Sequence, residues 1–169
     1  INHRGDHANE MSDNLPYLIL DDSKSISSFV IGQYFTCALL DDQKTVKCWG
    51  KNDYGQLGYG NTEYYGKTLE TSGKNLLSID FGIDLPIIKI EAGFSHVCAL
   101  FNNNKVKCWG RNDYGHLGYG DQKNRGDNAY EMGINLTYVS IRSTSAPSKS
   151  PIKNPTKNPT NPTNSTIST

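Results

Sequence analysis

Residues 106–120 read VKCWGRNDYGHLGYG, and residues 46–60 read VKCWGKNDYGQLGYG. Thirteen of the 15 positions are identical; only Lys51/Arg111 and Gln56/His116 differ. Two near-copies of a Gly-rich, Trp-bearing segment, 60 residues apart, mark a repeat protein. One set of glycines and aromatics per unit is the sequence cue for radial repetition of small β-sheets.

The copies extend outward from this stretch. Residues 4–20, RGDHANEMSDNLPYLIL, match 125–141, RGDNAYEMGINLTYVSI, at 9 of 17 positions. This divides the chain into the end of a truncated preceding repeat (1–25), a first complete blade-like repeat (26–86), a second (87–141) and a remainder (142–169). The first residue is Ile rather than Met, so the segment is expected to lie within a longer protein.

Within the second unit, Ile88, Ile90 and Ala92 alternate with Lys89 and Glu91, a period-two strand pattern ending at Gly93. Val97–Phe101 and Val106–Trp109 flank the turn-forming Asn102-Asn103-Asn104, which predicts a hairpin. Leu136–Ile141 is expected to add an outer strand, giving four short antiparallel strands per unit. No stretch has sustained helical periodicity. The fold class is therefore all-β: two blades plus a partial one of a β-propeller. Gly110, Gly115, Gly118 and Gly120 are expected at positive-φ turns or at close approaches between blades. Residues 61–84 depart from the other copies and read as a variable surface loop.

Residues 142–169 hold five of the seven prolines, no aromatic residue and a charge of +4, and are expected to be a disordered linker or stalk. The remaining 141 residues carry 13 basic and 17 acidic side chains. That mildly acidic body argues against a nucleic-acid groove, which needs a concentrated basic face. No apolar run is long enough for a membrane-spanning helix.

The pattern Gly93-Phe-Ser-His-Val-Cys-Ala-Leu100, then Val106-Lys-Cys-Trp-Gly-Arg-Asn112, then Gly115-His-Leu-Gly-Tyr-Gly120 resembles the repeat of the regulator of chromosome condensation family. Its signature falls on Trp49, Gly50, Trp109, Gly110, Gly115, Leu117 and Gly118. The resemblance covers about residues 1–141 and implies a propeller of about seven blades in the full protein. Phe35 stands where the family histidine is kept as His96, and residues 61–73 lose the Arg-Gly-Asp…Glu-Met element. The family's founding member is a nucleotide-exchange factor for a small GTPase. Its relatives include ubiquitin-ligase subunits, receptor-like proteins and secreted bacterial proteins, among which a fold does not choose.

Four cysteines form two pairs, Cys37/Cys48 and Cys98/Cys108. If each hairpin is symmetric about its turn, the pair members face each other across adjacent strands, within disulfide range. Disulfides are the expectation, with reduced core cysteines as the alternative. Zinc is disfavoured by the spacing and by the lack of further ligands. Gly60–Thr68 imitates a phosphate loop, but five residues separate its glycines where the motif requires four. Arg4-Gly-Asp6 and Arg125-Gly-Asp127 occupy the same repeat position and read as a built-in turn. His96 and His116 belong to the repeat, as packing or turn-bonding imidazoles. Asn135 and Asn164 begin glycosylation sequons, usable on the secretory route.

No catalytic constellation and no cofactor site stands apart from the repeat. The sequence therefore points to a non-enzymatic scaffold for a protein partner, extracellular or cell-surface, with the cytoplasm as alternative. The competing readings are a nucleotide-exchange factor acting on a small GTPase and a carbohydrate-binding module. Two units cannot close a ring, so the segment alone is expected to self-associate or stay partly unfolded.

Overall fold

A computed structural model describes residues 5–140; the expected disordered tail and Asn164 lie outside the described residues. Two three-stranded antiparallel sheets carry the fold. The first contains β1 (Ile26–Gly32), β2 (Phe35–Leu40) and β3 (Val46–Gly50). The second contains β4 (Ile87–Ala92), β5 (His96–Phe101) and β6 (Val106–Gly110). The remaining described structure is loop, punctuated by three-residue 3₁₀ turns. Residues 5–25 form no strand; their one fully buried side chain, Leu20, packs with Ala38, Leu40 and Leu76 on the outer face of the first sheet.

Register follows the repeat. Cys37 faces Cys48 and Cys98 faces Cys108, each pair with Cα atoms 4.1 Å apart and sulfurs bonded. That separation marks a non-hydrogen-bonded pair, whose backbone polar groups point away from the partner strand. The tyrosine of the Gly-Tyr-Gly ending meets them. Tyr59 Oη accepts from the Cys48 N–H at 2.9 Å, and its own proton lies between the carbonyls of Cys48 (2.8 Å) and Leu77 (2.9 Å). Tyr119 does the same for Cys108 and Thr137. Burial pushes both phenols up from their ordinary value.

This arrangement corrects the fourth-strand expectation. Residues 136–140 form no strand; the segment offers β6 one backbone hydrogen bond, Val139 N–H to Val106 O at 2.8 Å. In the first unit Ile79 bonds Val46 O at 2.9 Å in the same way. The tyrosine hydroxyl takes the backbone groups of Cys48 or Cys108, and Gly50 and Gly110 at the end of the edge bridge to Tyr65 and Arg125, so residues 136–140 find no continuous ladder to join. Sequence alternation alone could not show that a side chain takes this role.

The outer segment is held instead by a buried ammonium. Lys107 Nζ donates to Phe81 O (2.6 Å), at the end of the first unit, and to Gly133 O (3.3 Å), in the second. Lys47 Nζ likewise reaches Leu20 O (2.7 Å) and Lys74 O (3.1 Å). Burial lowers the Lys107 pKa, opposed by the Asp80 carboxylate. The carbonyls compensate the desolvated cation, as buried charge requires.

Both sheets share one core. It runs from Phe35, Cys37 and Leu39 through Leu57, Ile79 and Phe81 to Val97, Phe101 and Trp109 without interruption. Trp109 is fully buried and its indole N–H donates to Gln56 O across the unit boundary at 3.0 Å. Gly55 is required at that boundary, because a Cβ there would lie 2.1 Å from Asp127 N. Trp49, its counterpart, is only half-buried.

Replacing Trp109 with Ala is expected to cost about 3–5 kcal/mol, the usual range for a buried aromatic. Trp49→Ala should cost clearly less. Denaturant unfolding of the two variants checks this; equal losses would show that the unit boundary adds nothing to the indole's contribution.

Candidate interaction face

The β1–β2 and β4–β5 turns lie at the sheet end where β3 and β6 finish. Four loops therefore gather on one face. Tyr34 sits at the first turn with φ 65° and is exposed. Its carbonyl accepts from Lys51 N–H at 2.7 Å. Phe94, in the second turn, is exposed as well, and its carbonyl accepts from Gln33 N–H at 2.9 Å, tying the two turns together. Tyr114 is exposed on the loop after β6. Gly50 and Gly110 (φ 110° and 103°) let each loop leave its strand against the neighbouring turn; a Cβ on Gly110 would lie 2.5 Å from Ser95 O.

Buried asparagine side chains brace the loops. Asn52 and Asn112 are fully buried. Asn112 Oδ1 accepts from Leu117 N–H (2.9 Å), while Nδ2 donates to the carbonyls of Asp121 and Lys123 (both 3.0 Å). Asn52 makes the equivalent bonds with Leu57, Asn61 and Glu63. Gln56 Oε1 accepts from Tyr54 N–H at 2.9 Å.

Charges on the face are paired. Lys51 meets Asp53 at 2.9 Å, and Arg111 meets Asp113 at 2.5 Å. Tyr64 also donates to Asp53, and that bond, followed by the lysine, holds the carboxyl below its usual range. The Arg111 guanidinium stacks 4.8 Å from the Tyr54 ring, joining the two units through a cation–π contact. The result is a neutral, aromatic-rich surface. A cleft of about 300 Å³ opens in it between Phe94, Arg111 and Tyr114, floored by His96 and His116. The two imidazole centroids are 4.6 Å apart.

The residues singled out from the sequence fall mostly away from this face. The disulfides lie inside the sheets. Arg125-Gly-Asp127 is a turn: Arg125 pairs with Gly110 in a β-bridge, its guanidinium bonds Asp121 (2.8 Å), and Glu131 accepts from the N–H groups of Gly126 and Asn128. Glu10 caps Gly5 and His7 identically. This explains why Asp6, His7 and Glu10, although their ligand atoms lie within 4.8 Å, form a capped turn. The Gly60–Thr68 segment leads into a three-residue 3₁₀ turn, with no helix N-terminus to receive a phosphate. Asn135 is exposed at the end of the last 3₁₀ turn. Sequence reasoning missed Tyr34, Tyr114, Asn52, Asn112, Lys47 and Lys107. Most sit inside or beside the near-identical stretch, and identity there was the available signal.

Comparison with known proteins agrees with this architecture. Two models described as the regulator of chromosome condensation (RCC1) repeat match, one at residues 26–56 and 87–115, the other at 46–100. Together they span more than half of the chain, and the chain belongs to this repeat family. It is 36% identical over 106 residues to the human probable E3 ubiquitin-protein ligase HERC4, covering 60% of this chain and 9% of that protein. It is 32% identical over 100 residues to the ultraviolet-B receptor UVR8 of Arabidopsis thaliana, covering 59% of this chain and 21% of the receptor. Yeast RCC1 (Prp20), solved bound to Kap60, superposes with a TM-score of 0.56 at 18% identity, covering 75% of this chain and 27% of that one, and shows the same fold. The chain thus spans only a small part of the relatives it matches.

His96 has a depressed pKa, first because burial disfavours the cation and second because of His116. The unfolded chain therefore takes up its proton before the folded one as pH falls. Stability from this group is complete above the ordinary value of 6.5 and is lost below it. Substituting His96→Phe, the residue found at Phe35, should flatten the decline in melting temperature between about pH 7 and about pH 5. An unchanged decline would assign it to other groups.

Proposed function

We propose that this chain is a non-enzymatic scaffold that binds a protein partner through the face of Tyr34, Phe94 and Tyr114. The observation that carries the reading is the surface itself: exposed aromatics on loops fixed by buried asparagines, with neighbouring charges already paired. Aromatic side chains bring large contact area at low entropic cost, and rigid presentation reduces what binding must order. Sites on loops held by a firm scaffold are the common place for recognition. Two cystine pairs in the sheets and an exposed sequon at Asn135 favour an extracellular or cell-surface setting. No cofactor, metal or nucleic acid enters this reading.

The test compares the chain with a Tyr34→Ser/Phe94→Ser/Tyr114→Ser variant as bait in extracts. Proteins retained by the first and lost by the second, at an unchanged melting temperature, are the expected outcome. Identical retention by both baits would move the binding surface elsewhere. Binding of glycans alone, lost in the same variant, would assign the face to carbohydrate.

A second reading, nucleotide exchange on a small GTPase, draws on one relative. The structure of Prp20p from Saccharomyces cerevisiae was described with that protein's binding to Gsp1p and histones. Under the scaffold reading, addition of this chain leaves the release of labelled GDP from a small GTPase unchanged. Accelerated release would replace the scaffold by the exchange factor.

A further inference from the structure

A groove runs between the two units, apart from the aromatic face. It holds about 510 Å³ and takes one wall from each unit: Leu77, Ser78 and Asp80 from the first, Tyr130, Ile134 and Asn135 from the second. The walls are tied together. Gly133 N–H donates to Asp80 O at 3.0 Å, and the Lys107 ammonium bridges Phe81 O and Gly133 O. Three apolar side chains nevertheless stand open along it, with Leu77 49%, Tyr130 88% and Ile134 82% exposed. Exposed apolar surface rimmed by polar groups marks a ligand groove, and this volume suits a small ligand.

The chain itself supplies the ligand's anchor. Three times a 3₁₀ turn closes on an asparagine followed by leucine: Ser12–Asn14, Gly73–Asn75 and Gly133–Asn135. The asparagine is thus a repeat feature and by itself says nothing of modification. The residue two places on does. Pro16 and Leu77 stand there in the earlier copies, and Thr137 in the last, which alone among the described residues completes Asn-x-Thr. Packing presents the motif: Leu136 is buried, so Asn135 and Thr137 on either side of it are exposed. Asn75 gives its amide to Leu69 O at 2.9 Å, whereas the Asn135 amide makes no hydrogen bond among the described residues.

We propose that Asn135 carries an N-linked glycan whose first N-acetylglucosamine lies in this groove, its apolar face on Tyr130 and Leu77 and its hydroxyls facing Asp80. The proposal rests on the extracellular or cell-surface setting of the scaffold reading. The reaction draws an oligosaccharide from a polyprenol diphosphate donor. Asn135 Nδ2 bonds to the sugar C1, the C1–O bond breaks, the diphosphate leaves with the electron pair, and the amide proton passes to solvent. The glycan is the occupant because its attachment point is part of the groove wall. Tethering makes the docking intramolecular, so weak contacts between sugar and ring suffice. The groove follows the outer connections, and a glycan there leaves the face of Tyr34, Phe94 and Tyr114 open.

Peptide mapping of the native protein, after enzymatic removal of N-glycans in heavy-oxygen water, tests this. Removal turns a modified Asn135 into an isotopically marked Asp, and that mark is expected. Thr137→Ala, expressed through a secretory host, should lose the mark while keeping the main-chain carbonyl that Tyr119 bonds. A glycoform trimmed to one N-acetylglucosamine should show nuclear Overhauser contacts from the sugar protons to the Tyr130 ring, lost in Tyr130→Ser at unchanged occupancy. A bare Asn135 beside intact Cys37–Cys48 and Cys98–Cys108 disulfides overturns the proposal and leaves the extracellular reading standing. A bare Asn135 with all four thiols free overturns both. A modified Asn135 whose sugar makes no contact with Tyr130 overturns the seating in the groove.

Discussion

The contact on which the structure depends is the one between successive units: the Trp109 indole donating to Gln56 O over a floor of glycines. Each three-stranded sheet is too small to bury its own apolar residues, and a few short strands are marginal alone. The boundary solves this by making the core continuous. Phe81, which belongs to the connection between the units, packs edge-on against both Phe101 and Trp109, at centroid distances of 5.5 and 5.4 Å. Aromatic pairs in that geometry add attraction beyond the area they bury. Removing the glycines would separate the surfaces before the indole could reach its acceptor.

The same boundary explains the polar devices. A blade edge that met the next unit through a full fourth strand would need a long, regular connection. Here a tyrosine hydroxyl and a lysine ammonium satisfy the edge with side chains, leaving the connection free to vary between units. The first unit accordingly lacks the Arg-Gly-Asp…Glu-Met element and still places Tyr65 against Gly50, as Arg125 is placed against Gly110. The aromatic loops are thereby kept apart from the connections: the loops lie at one end of the sheets, the connections at their outer edge.

Much of this was legible in the sequence. Repetition, the three strands of each unit, the hairpin register and the family all follow from the stretch at 106–120 and its copy. The fourth strand was not, because Leu136–Ile141 has a strand-like composition while the decisive groups, Tyr119 and Lys107, lie elsewhere in the chain. The exposed aromatic face was also hidden. Tyr34 and Phe94 differ from each other and are separated from Tyr114 in sequence, and only the closure of the hairpins brings their loops together. Trp49 and Trp109 look equivalent in sequence, and their environments differ because only one has a unit before it among the described residues.

Hydrogen exchange of the two indole N–H groups, followed by NMR in dilute solution, tests the central claim most directly. The account predicts that the Trp109 indole exchanges only with global unfolding, while that of Trp49 exchanges far faster. Equal, rapid exchange at both positions would contradict it, since the unit boundary would then be open in solution.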